Sequence, residues 1–280
     1  MNLPVSEADI ERVIDAALAE DIGSGDVTSK TVLTSDSYMK LIMRSREDIV
    51  VAGLDVAAMV FRRLTPDATI NVLAADGDSL DKGAELMRLS GPAQGLLTAE
   101  RTALNLLQLL SGIATLTRRY VDAIDGTDAV LLDTRKTTPG LRTLSKYATR
   151  MGGAENHRVR LDDAVLIKDN HIAVVGSVAE AVRRARAGTK LGVEVECDTI
   201  AQVRQALDAG AERILLDNMN PRRLRRAVEI NKGRAKLEAS GGVSLKNIRA
   251  IAETGVNFIS VGRITQSAPA VDIGLDLDVS

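Results

Sequence analysis

The chain has 280 residues, of which 36 are Lys or Arg, 38 are Asp or Glu and 45% are hydrophobic, so it can hold one large α/β domain or two smaller ones. A net charge of −2, with three tyrosines, two phenylalanines and no tryptophan, argues against nucleic-acid binding, which needs a broad basic surface or a base-stacking platform. No apolar run is long enough for a transmembrane helix, and a single cysteine excludes an internal disulfide and favours the cytoplasm.

Residues 1–100 predict an α+β domain. The N-terminal segment is acidic and amphipathic, unlike a signal or transit peptide, and predicts a helix over Ser6–Glu20. The turn-rich string EDIGSGDVTS follows, and then come alternating β segments at YMKLIMRSRE, DIVVAG, TINVLAADG and AELMRLSG. Turn signals separate these segments, as an antiparallel or mixed sheet requires. A long helix from about Leu97 to Asp122 leads into the second half.

The second half of the chain repeats a strand-then-helix pattern. Short apolar segments begin at residues 192, 213, 236 and 258, and amphipathic stretches that end near a glycine separate them. Earlier segments at 129–134 and 163–169 extend the series, so we predict an α/β fold with an incomplete (β/α) barrel of about six to seven parallel strands. We assign residues 1–115 to an N-terminal domain and 116–268 to the barrel, with a strand at about 269–280 returning to the N-terminal sheet.

The segment 133–171 concentrates positive charge in a slightly acidic protein. It holds both histidines and eight of the 36 basic residues, which are not spaced as one face of a helix. Arg135 and Lys136 directly follow the apolar run AVLLDT, and Lys168 ends the run AVLIK. Long cationic side chains at the ends of buried strands point into a site, so we interpret the segment as a pocket for an anion with several charges. The alternative is a solvated face.

Two carboxylates lie at the carboxyl ends of neighbouring strands, where a barrel carries its ligand-binding side chains. Glu196 is close to the end of one strand and Asp217 ends the next. Their oxygens suit Mg²⁺, directly or through water, or the hydroxyls of a sugar, and the alternative is a surface salt bridge. Glu194 points to the same face as Glu196 but lies deeper, where it either faces the ligand or forms a buried pair with a lysine.

Two glycine-rich turns follow the last two strands. Ser240-Gly241-Gly242 ends one strand and Gly262-Arg263 ends the next. Barrel enzymes commonly hold a phosphate in this region, on backbone N–H groups and a helix N-terminus. One such turn is equally consistent with a simple tight turn, but two in successive βα units predict a phosphate site.

Four further residues are weaker candidates. His157, together with Arg158, follows the string GGAEN, which predicts a loop flexible enough to fold over a ligand. His171 is placed to hydrogen-bond a carboxylate or a neighbour. Arg101, near the start of the long helix, is either a solvated first-turn residue or a group that reaches a pocket where domains or subunits meet.

Several long strings, in order from about residue 20 to residue 267, match one known family: EDIGSGDVTS, TAERTALNLLQLLSGIAT, DTRKTTPGLR, KYATRMGGAENHR, LIKDNH, VEVEC, LLDNM, EASGGV and ISVG. They resemble quinolinate phosphoribosyltransferase, also called decarboxylating nicotinate-nucleotide pyrophosphorylase. The resemblance implies that quinolinate and phosphoribosyl pyrophosphate react, with Mg²⁺, to give nicotinate mononucleotide, carbon dioxide and pyrophosphate in de novo NAD biosynthesis. It also implies an N-terminal α/β sandwich joined to the barrel, and a homodimer whose active sites are shared between subunits.

The resemblance also implies roles for individual residues. Arg101 matches an arginine that enters the site from the neighbouring subunit. Lys136, Glu196 and Asp217 are the expected catalytic residues, with both carboxylates on the ribose and metal side. The expected substrate-binding residues are Arg101, Thr134, Arg135, Lys136, His157, Arg158, Lys168, Glu196, Asp217, Ser240, Gly241, Gly242, Val261, Gly262 and Arg263, of which those from Ser240 onward match the 5-phosphate site. We expect no protein nucleophile, and catalysis mainly by positioning and electrostatics.

One departure and three rival functions accompany the resemblance. The family commonly has a Gly-Ala-Leu-Thr type of turn after the last strand, whereas this chain has Gly262-Arg263-Ile264-Thr265, so Arg263 either adds a phosphate contact or leans outward. The rivals are a related protein of molybdenum-transport loci, a non-enzymatic barrel that binds a phosphorylated metabolite, and a barrel lyase acting on another sugar phosphate. The intact DTRKT and LIKDNH strings favour the quinolinate enzyme over the first, and the carboxylates on the metal side argue against the second.

Overall fold

The computed structural model describes residues 5–279 and divides into two compact units. The first unit comprises Met1–Arg118, Thr138–Gly153 and Ser267–Ser280, of which residues 1–4 and 280 lie outside the described part, and the second comprises Arg119–Thr137 and Ala154–Gln266. Residues 138–153, inside the range that the sequence assigned to the barrel, therefore cluster with the first unit. Among the described residues, no helix is both long and apolar enough to cross a membrane.

The first unit is built on an antiparallel sheet. Its strands are β1 (Tyr38–Ser45), β2 (Ile49–Val50), β3 (Thr69–Val72), β4 (Ser79–Leu80), β5 (Glu85–Pro92) and, in the closing segment, β12 (Ile273–Leu277). Four of them pair in the order β12-β1-β5-β3, and β2 pairs with β4. Its helices are α1 (Glu7–Ile22), α2 (Val27–Val32), α3 (Leu54–Leu64), α4 (Ala93–Ala123, which runs on into the second unit) and α5 (Arg142–Met151).

Three helices of this unit depart from the sequence-based expectations. The turn-rich string contains α2, because the Asp26 side chain caps it by accepting from the backbone N–H of Ser29 at 2.9 Å. The unpredicted α3 buries Val60 and Phe61 and is capped by the two carboxylate oxygens of Asp76. Helix α4 begins at Ala93, so the expectation that Arg101 occupies its first turn is wrong.

Close backbone contact fixes the closing segment against α4. The backbone N–H of Val271 donates to the carbonyl of Gln108 at 3.2 Å, and the Gln108 side chain donates to the carbonyl of Ile273 at 2.8 Å. A Cβ added at Gly112 would lie 2.1 Å from the carbonyl oxygen of Pro269, so only glycine fits at this position.

Gly112→Ala is accordingly expected to lower the free energy of unfolding by about 1–3 kcal/mol, because the added methyl group forces the two backbones apart. Urea unfolding followed by circular dichroism measures the change. Gly188→Ala is the matched control, since a Cβ there meets nothing within 4 Å and its conformation suits an ordinary side chain. Equal stability of the Gly112 variant and the wild type would contradict the packing argument.

The second unit holds six parallel strands: β6 (Val130–Leu132), β7 (Val165–Ile167), β8 (Val193–Cys197), β9 (Arg213–Asp217), β10 (Lys236–Ser240) and β11 (Phe258–Ser260). They pair in the order β6-β11-β10-β9-β8-β7, which confirms the predicted incomplete barrel. The helices between them are α6 (Asp169–Val175), α7 (Val178–Gly188), α8 (Ile200–Asp208), α9 (Pro221–Asn231) and α10 (Ile248–Ala252), and α11 (Arg263–Gln266) follows β11. At the β6 edge, Leu132 forms an isolated parallel bridge with Glu155.

Candidate active site

A cavity of about 650 Å³ opens where the parallel strands of the second unit end. On β9 and β10, alternate residues line it, because side chains of one parity share one face of a strand. Every predicted substrate-binding residue except Arg101 contributes to the lining. The lining residues are Thr134, Arg135, Lys136, His157, Arg158, Leu166, Lys168, Glu196, Leu215, Asp217, Asn218, Glu238, Ser240, Gly241, Gly242, Val243, Ser260, Val261, Gly262, Arg263 and Gln266.

Two of the weaker candidates lie elsewhere. Arg101 is exposed on α4 in the first unit. His171 lies in the first turn of α6, where its Nδ1 accepts from the backbone N–H of Lys168 at 2.9 Å. The ring therefore contacts a neighbour in the chain, one of the two expectations for it, and caps the helix that follows Lys168.

The segment that carries His157 is held to the barrel, which overturns the expectation of a flexible loop. Glu155 exchanges two backbone hydrogen bonds with Leu131 and Asp133. The fully buried Asp133 carboxylate then accepts from the backbone N–H of His157 at 2.8 Å and from the side-chain amide of Asn156 at 2.6 Å. The preceding Gly152 is closely packed, since a Cβ there would lie 2.5 Å from the carbonyl oxygen of Ala114.

The cations of the site come from β6, β7 and this segment. Arg135 and Arg158 are half-buried, and burial followed by the neighbouring charge of Arg135 lowers the pKa of the Arg158 guanidinium. Because an arginine stays protonated at neutral pH, the pair keeps two positive charges side by side, which favours an anion between them. Lys168 Nζ lies 3.8 Å from a carboxylate oxygen of Glu196.

Lys136 is held by its surroundings at the end of β6. Its backbone N–H donates to Oγ1 of Thr134 at 3.0 Å, and its carbonyl accepts from Oγ1 of Thr265 at 2.7 Å. Its aliphatic chain lies so close to Gly262 that a Cβ there would be 2.9 Å from Lys136 Cδ. The glycine after β11 therefore leaves the space that the lysine side chain occupies.

The two predicted metal-side carboxylates lie half-buried in the cavity wall. Burial raises the pKa of Glu196, and the nearby negative charge of Asp217 raises it further despite Lys168. Burial and Asp198 likewise raise the pKa of Asp217, whose Oδ2 accepts from the Asn218 side chain at 2.6 Å. Two carboxylates that disfavour each other's charge fit a hard divalent cation, because it binds oxygen ligands and removes that repulsion.

The turn after β10 requires its glycine. Gly241 has φ +87°, and a Cβ there would lie 2.2 Å from Oδ1 of Asn218, which itself adopts φ +51°. The backbone N–H of Asn218 donates to the carbonyl of Ser240 at 2.9 Å. This hydrogen bond holds the ends of β9 and β10 together beside the cavity. The Gly241-Gly242 backbone carries no side chains, so a phosphate can approach it closely.

An ionic cluster lies beneath the cavity and corrects one expectation. Glu194 is buried, but its partners are His157 and Arg213 instead of a lysine, at 2.9 Å and 3.0 Å. Arg213 also forms a short ion pair with the fully buried Glu238. The sequence analysis missed Arg213, Glu238 and Asn218, although strand parity was a usable signal, since Glu238 precedes Ser240 by two residues on β10.

The fold and the site define a class: a barrel enzyme whose cavity binds a multiply charged anion beside two carboxylates suited to a divalent cation. Comparison with known proteins identifies the family within this class. The family model described as quinolinate phosphoribosyl transferase, C-terminal domain, matches residues 113–276, and that of the N-terminal domain matches residues 26–111. The chain belongs to the quinolinate phosphoribosyltransferase family.

Individual relatives are similar to this chain over nearly its full length. The chain is 46% identical over 271 residues to a nicotinate-nucleotide pyrophosphorylase [carboxylating] of Mycobacterium leprae, covering 94% of this chain and 95% of that protein. It is 43% identical over 273 residues to a probable enzyme of the same name in Bacillus subtilis, covering 97% and 94%. The structure of the nicotinate-nucleotide pyrophosphorylase from Francisella tularensis superposes with a TM-score of 0.94 at 40% identity and covers 98% of each chain.

Proposed function

We propose that this chain transfers the phosphoribosyl group of phosphoribosyl pyrophosphate to the ring nitrogen of quinolinate. Loss of carbon dioxide then gives nicotinate mononucleotide, a step of de novo NAD biosynthesis, with pyrophosphate as the other product. One observation carries the proposal: the four cations Arg135, Lys136, Arg158 and Lys168 line one cavity with Glu196 and Asp217. Two polyanionic substrates repel each other in a partly dry cleft, so a cationic lining is the minimum requirement for binding both.

The cations bind the anionic groups of the substrates, and the carboxylates act on the ribose. Arg135 and Arg158 bind the dicarboxylate beside His157, which lines the same cavity, and Lys136 and Lys168 neutralise the diphosphate as it departs. Ser240 to Gly242 and Val261 to Arg263 hold the 5-phosphate, with the exposed Arg263 at the rim of the cavity. Glu196 and Asp217 stabilise the positive charge that develops on the ribose as the bond to pyrophosphate breaks. No side chain forms a covalent intermediate, so the residues act by positioning and electrostatics.

Glu196 and Asp217 also hold Mg²⁺, directly or through water. When bound, the ion neutralises diphosphate charge and assists its departure. After transfer, the carbon–carboxylate bond breaks to release carbon dioxide, and the pyridinium nitrogen stabilises the electron pair left on the ring carbon. That carbon then takes a proton from water, while the guanidinium groups keep the remaining carboxylate in place. The residues suit this ion because both donors are carboxylate oxygens in the wall of one cavity.

The direct test is to incubate the purified protein with quinolinate, phosphoribosyl pyrophosphate and Mg²⁺ and to detect nicotinate mononucleotide and carbon dioxide. We expect turnover with quinolinate and none with nicotinic acid, which lacks the second carboxylate that the arginines bind. The assignment fails if neither substrate is converted, or if nicotinic acid is used instead. Chelation of the metal by EDTA should stop turnover, and added Mg²⁺ should restore it.

The proposed enzyme is a homodimer in which Arg101 of the partner subunit completes each site. Two features of the first unit support this assembly. Arg101 is exposed on α4, and the same unit exposes large apolar side chains, with Val27 74% and Tyr38 63% accessible. We also propose that residues 116–268 form the catalytic domain, residues 1–115 with 269–280 the other, and that the enzyme works in the cytoplasm.

Subunit mixing tests the shared site. Arg101→Ala and Lys136→Ala are each expected to be inactive, but a mixture refolded together should recover about a quarter of wild-type activity. Half of the dimers are then mixed, and one of the two sites in each carries neither substitution. Refolding each variant alone is the control. No recovery in a mixture that has demonstrably formed mixed dimers would mean that Arg101 serves its own subunit.

A further inference from the structure

The residues beneath the cavity are unusual for the interior of a barrel. Such an interior is ordinarily filled by branched aliphatic side chains. Here the inward positions of β8, β9 and β10 hold Glu194, Arg213 and Glu238, and the Arg213 guanidinium lies 4.1 Å above the ring of Phe258 on β11. Glu238 is fully buried and Glu194 is 6% exposed. We call Glu194, Arg213 and Glu238 the ionic floor.

Stability alone does not account for the ionic floor. Taking two carboxylates out of water costs so much that well-packed apolar residues of similar volume are often as stable or more stable, even though Arg213 keeps 28% of its side chain exposed. Burial and the charge of Glu194 raise the pKa of Glu238 to about 7, which shows the cost of keeping both carboxylates there. The position of the ionic floor directly below the cavity therefore points to a role besides packing.

His157 connects the ionic floor to the cavity. Its Nδ1 accepts from the backbone N–H of Arg158 at 2.9 Å, so the ring hydrogen must be on Nε2. Nε2 in turn donates to Oε2 of Glu194 at 2.9 Å and lies 3.6 Å from Oε2 of Glu238. Both ring nitrogens are therefore engaged within the protein, one by the floor and one by the backbone that carries Arg158.

We propose that Glu194, Arg213 and Glu238 are positioning residues that hold His157 in one tautomer and orientation, and thereby place the Arg158 guanidinium for the dicarboxylate. The chain of contacts is continuous: Arg213 bridges the two glutamates, Glu194 holds Nε2, and Nδ1 holds the peptide of Arg158. This inference rests on the proposed function for the identity of the dicarboxylate. A displacement of about 1 Å in such a contact costs up to a hundredfold in rate.

The test removes the charges while keeping the volume. The triple variant Glu194→Leu, Arg213→Met, Glu238→Leu should fold with a melting temperature close to or above that of the wild type. Its KM for quinolinate should rise about tenfold or more, while its KM for phosphoribosyl pyrophosphate changes less than about twofold. The matched control is Arg226→Met with Glu229→Gln, an exposed ion pair on α9, which should leave both KM values unchanged.

A second readout does not depend on activity. The chain has two histidines, so ¹⁵N spectra of the ring nitrogens are simple, and His171→Gln identifies the His157 signals. The wild type should show the Nε2-protonated tautomer of His157, and the triple variant should show a mixture of tautomers. Glu238→Gln, which keeps the shape and removes one charge, should shift the same signals and raise the quinolinate KM in the same direction, so it serves if the triple variant does not fold.

The outcomes separate this inference from the proposed function. Unchanged His157 spectra together with an unchanged quinolinate KM in a folded variant would overturn the positioning role. A fall of the maximal rate in proportion to lost folded protein, with both KM values unchanged, would do the same, because it indicates a purely structural cluster. Absence of turnover in the wild type refutes the proposed function, and the tautomer spectra then still decide whether the ionic floor sets His157.

Discussion

Arg135→Ala is expected to lower kcat/KM for quinolinate by roughly a hundred- to a thousandfold while the protein stays folded. Arg135 is half-buried at the end of β6 and lies close enough to Arg158 to lower the pKa of that guanidinium. Removing it deletes charge-assisted hydrogen bonds to the dicarboxylate, and it leaves the substrate free to rotate away from the ribose. Both effects act on the reacting geometry, so kcat should fall as well as the affinity for quinolinate.

Steady-state kinetics with circular dichroism as a check of folding measure this change. Arg160→Ala is the matched control: Arg160 lies in the same segment, its side chain is 72% exposed, and it forms an ion pair with the exposed Asp162. Its activity should equal that of the wild type. If Arg135→Ala unfolds the protein, the arginine is structural; if it folds and keeps full activity, Arg135 does not bind quinolinate.

Asp217→Asn is expected to lower kcat by about a hundredfold or more and to change the KM for quinolinate less. The substitution keeps the shape and the hydrogen-bonding reach of the side chain but removes its negative charge. In the proposed function, that charge stabilises the ribose as it becomes positive, and it is one of the two that would hold the metal. Glu196→Gln should act in the same direction, because the two carboxylates lie in one wall of the cavity.

Titration with Mg²⁺ separates the two roles of Asp217. If metal binding dominates, the Asp217→Asn variant should need a higher Mg²⁺ concentration for half-maximal rate; if ribose stabilisation dominates, the rate stays low at saturating Mg²⁺. Asp162→Asn, at a carboxylate that is 69% exposed, is the control and should leave the rate unchanged. Wild-type kcat in Asp217→Asn at every Mg²⁺ concentration would exclude both roles.

The placement of most site residues follows from local patterns. The strand-then-helix repeat predicts parallel strands, parallel strands end at one face, and strand parity places Glu196, Asp217 and Ser240 on one side. Lys136 and Lys168 likewise directly follow apolar runs and line the cavity. Each of these predictions depends only on neighbouring residues or on the period of a strand, so it can be made from the sequence alone.

Other features depend on contacts between residues far apart in the chain. The glycines before His157 predict a flexible loop, but Asp133, 24 residues earlier, holds the loop by accepting a hydrogen bond from the backbone N–H of His157. A lysine partner was one of two alternatives for Glu194, and the choice of Arg213 depends on the register of β8 with β9, in which the two residues are partners. A pattern read along one strand contains no information on register with the next.

Periodicity, residue type and contiguous strings are enough to predict the barrel, the cationic strand ends, the two carboxylates at neighbouring strand ends and the family. The partners of Glu194, the anchoring of His157 and the need for glycine at Gly241 beside Asn218 are visible only in the folded chain. These depend on distances of a few ångströms between separate strands. Such distances are set by packing and strand register, which no single segment of the chain specifies.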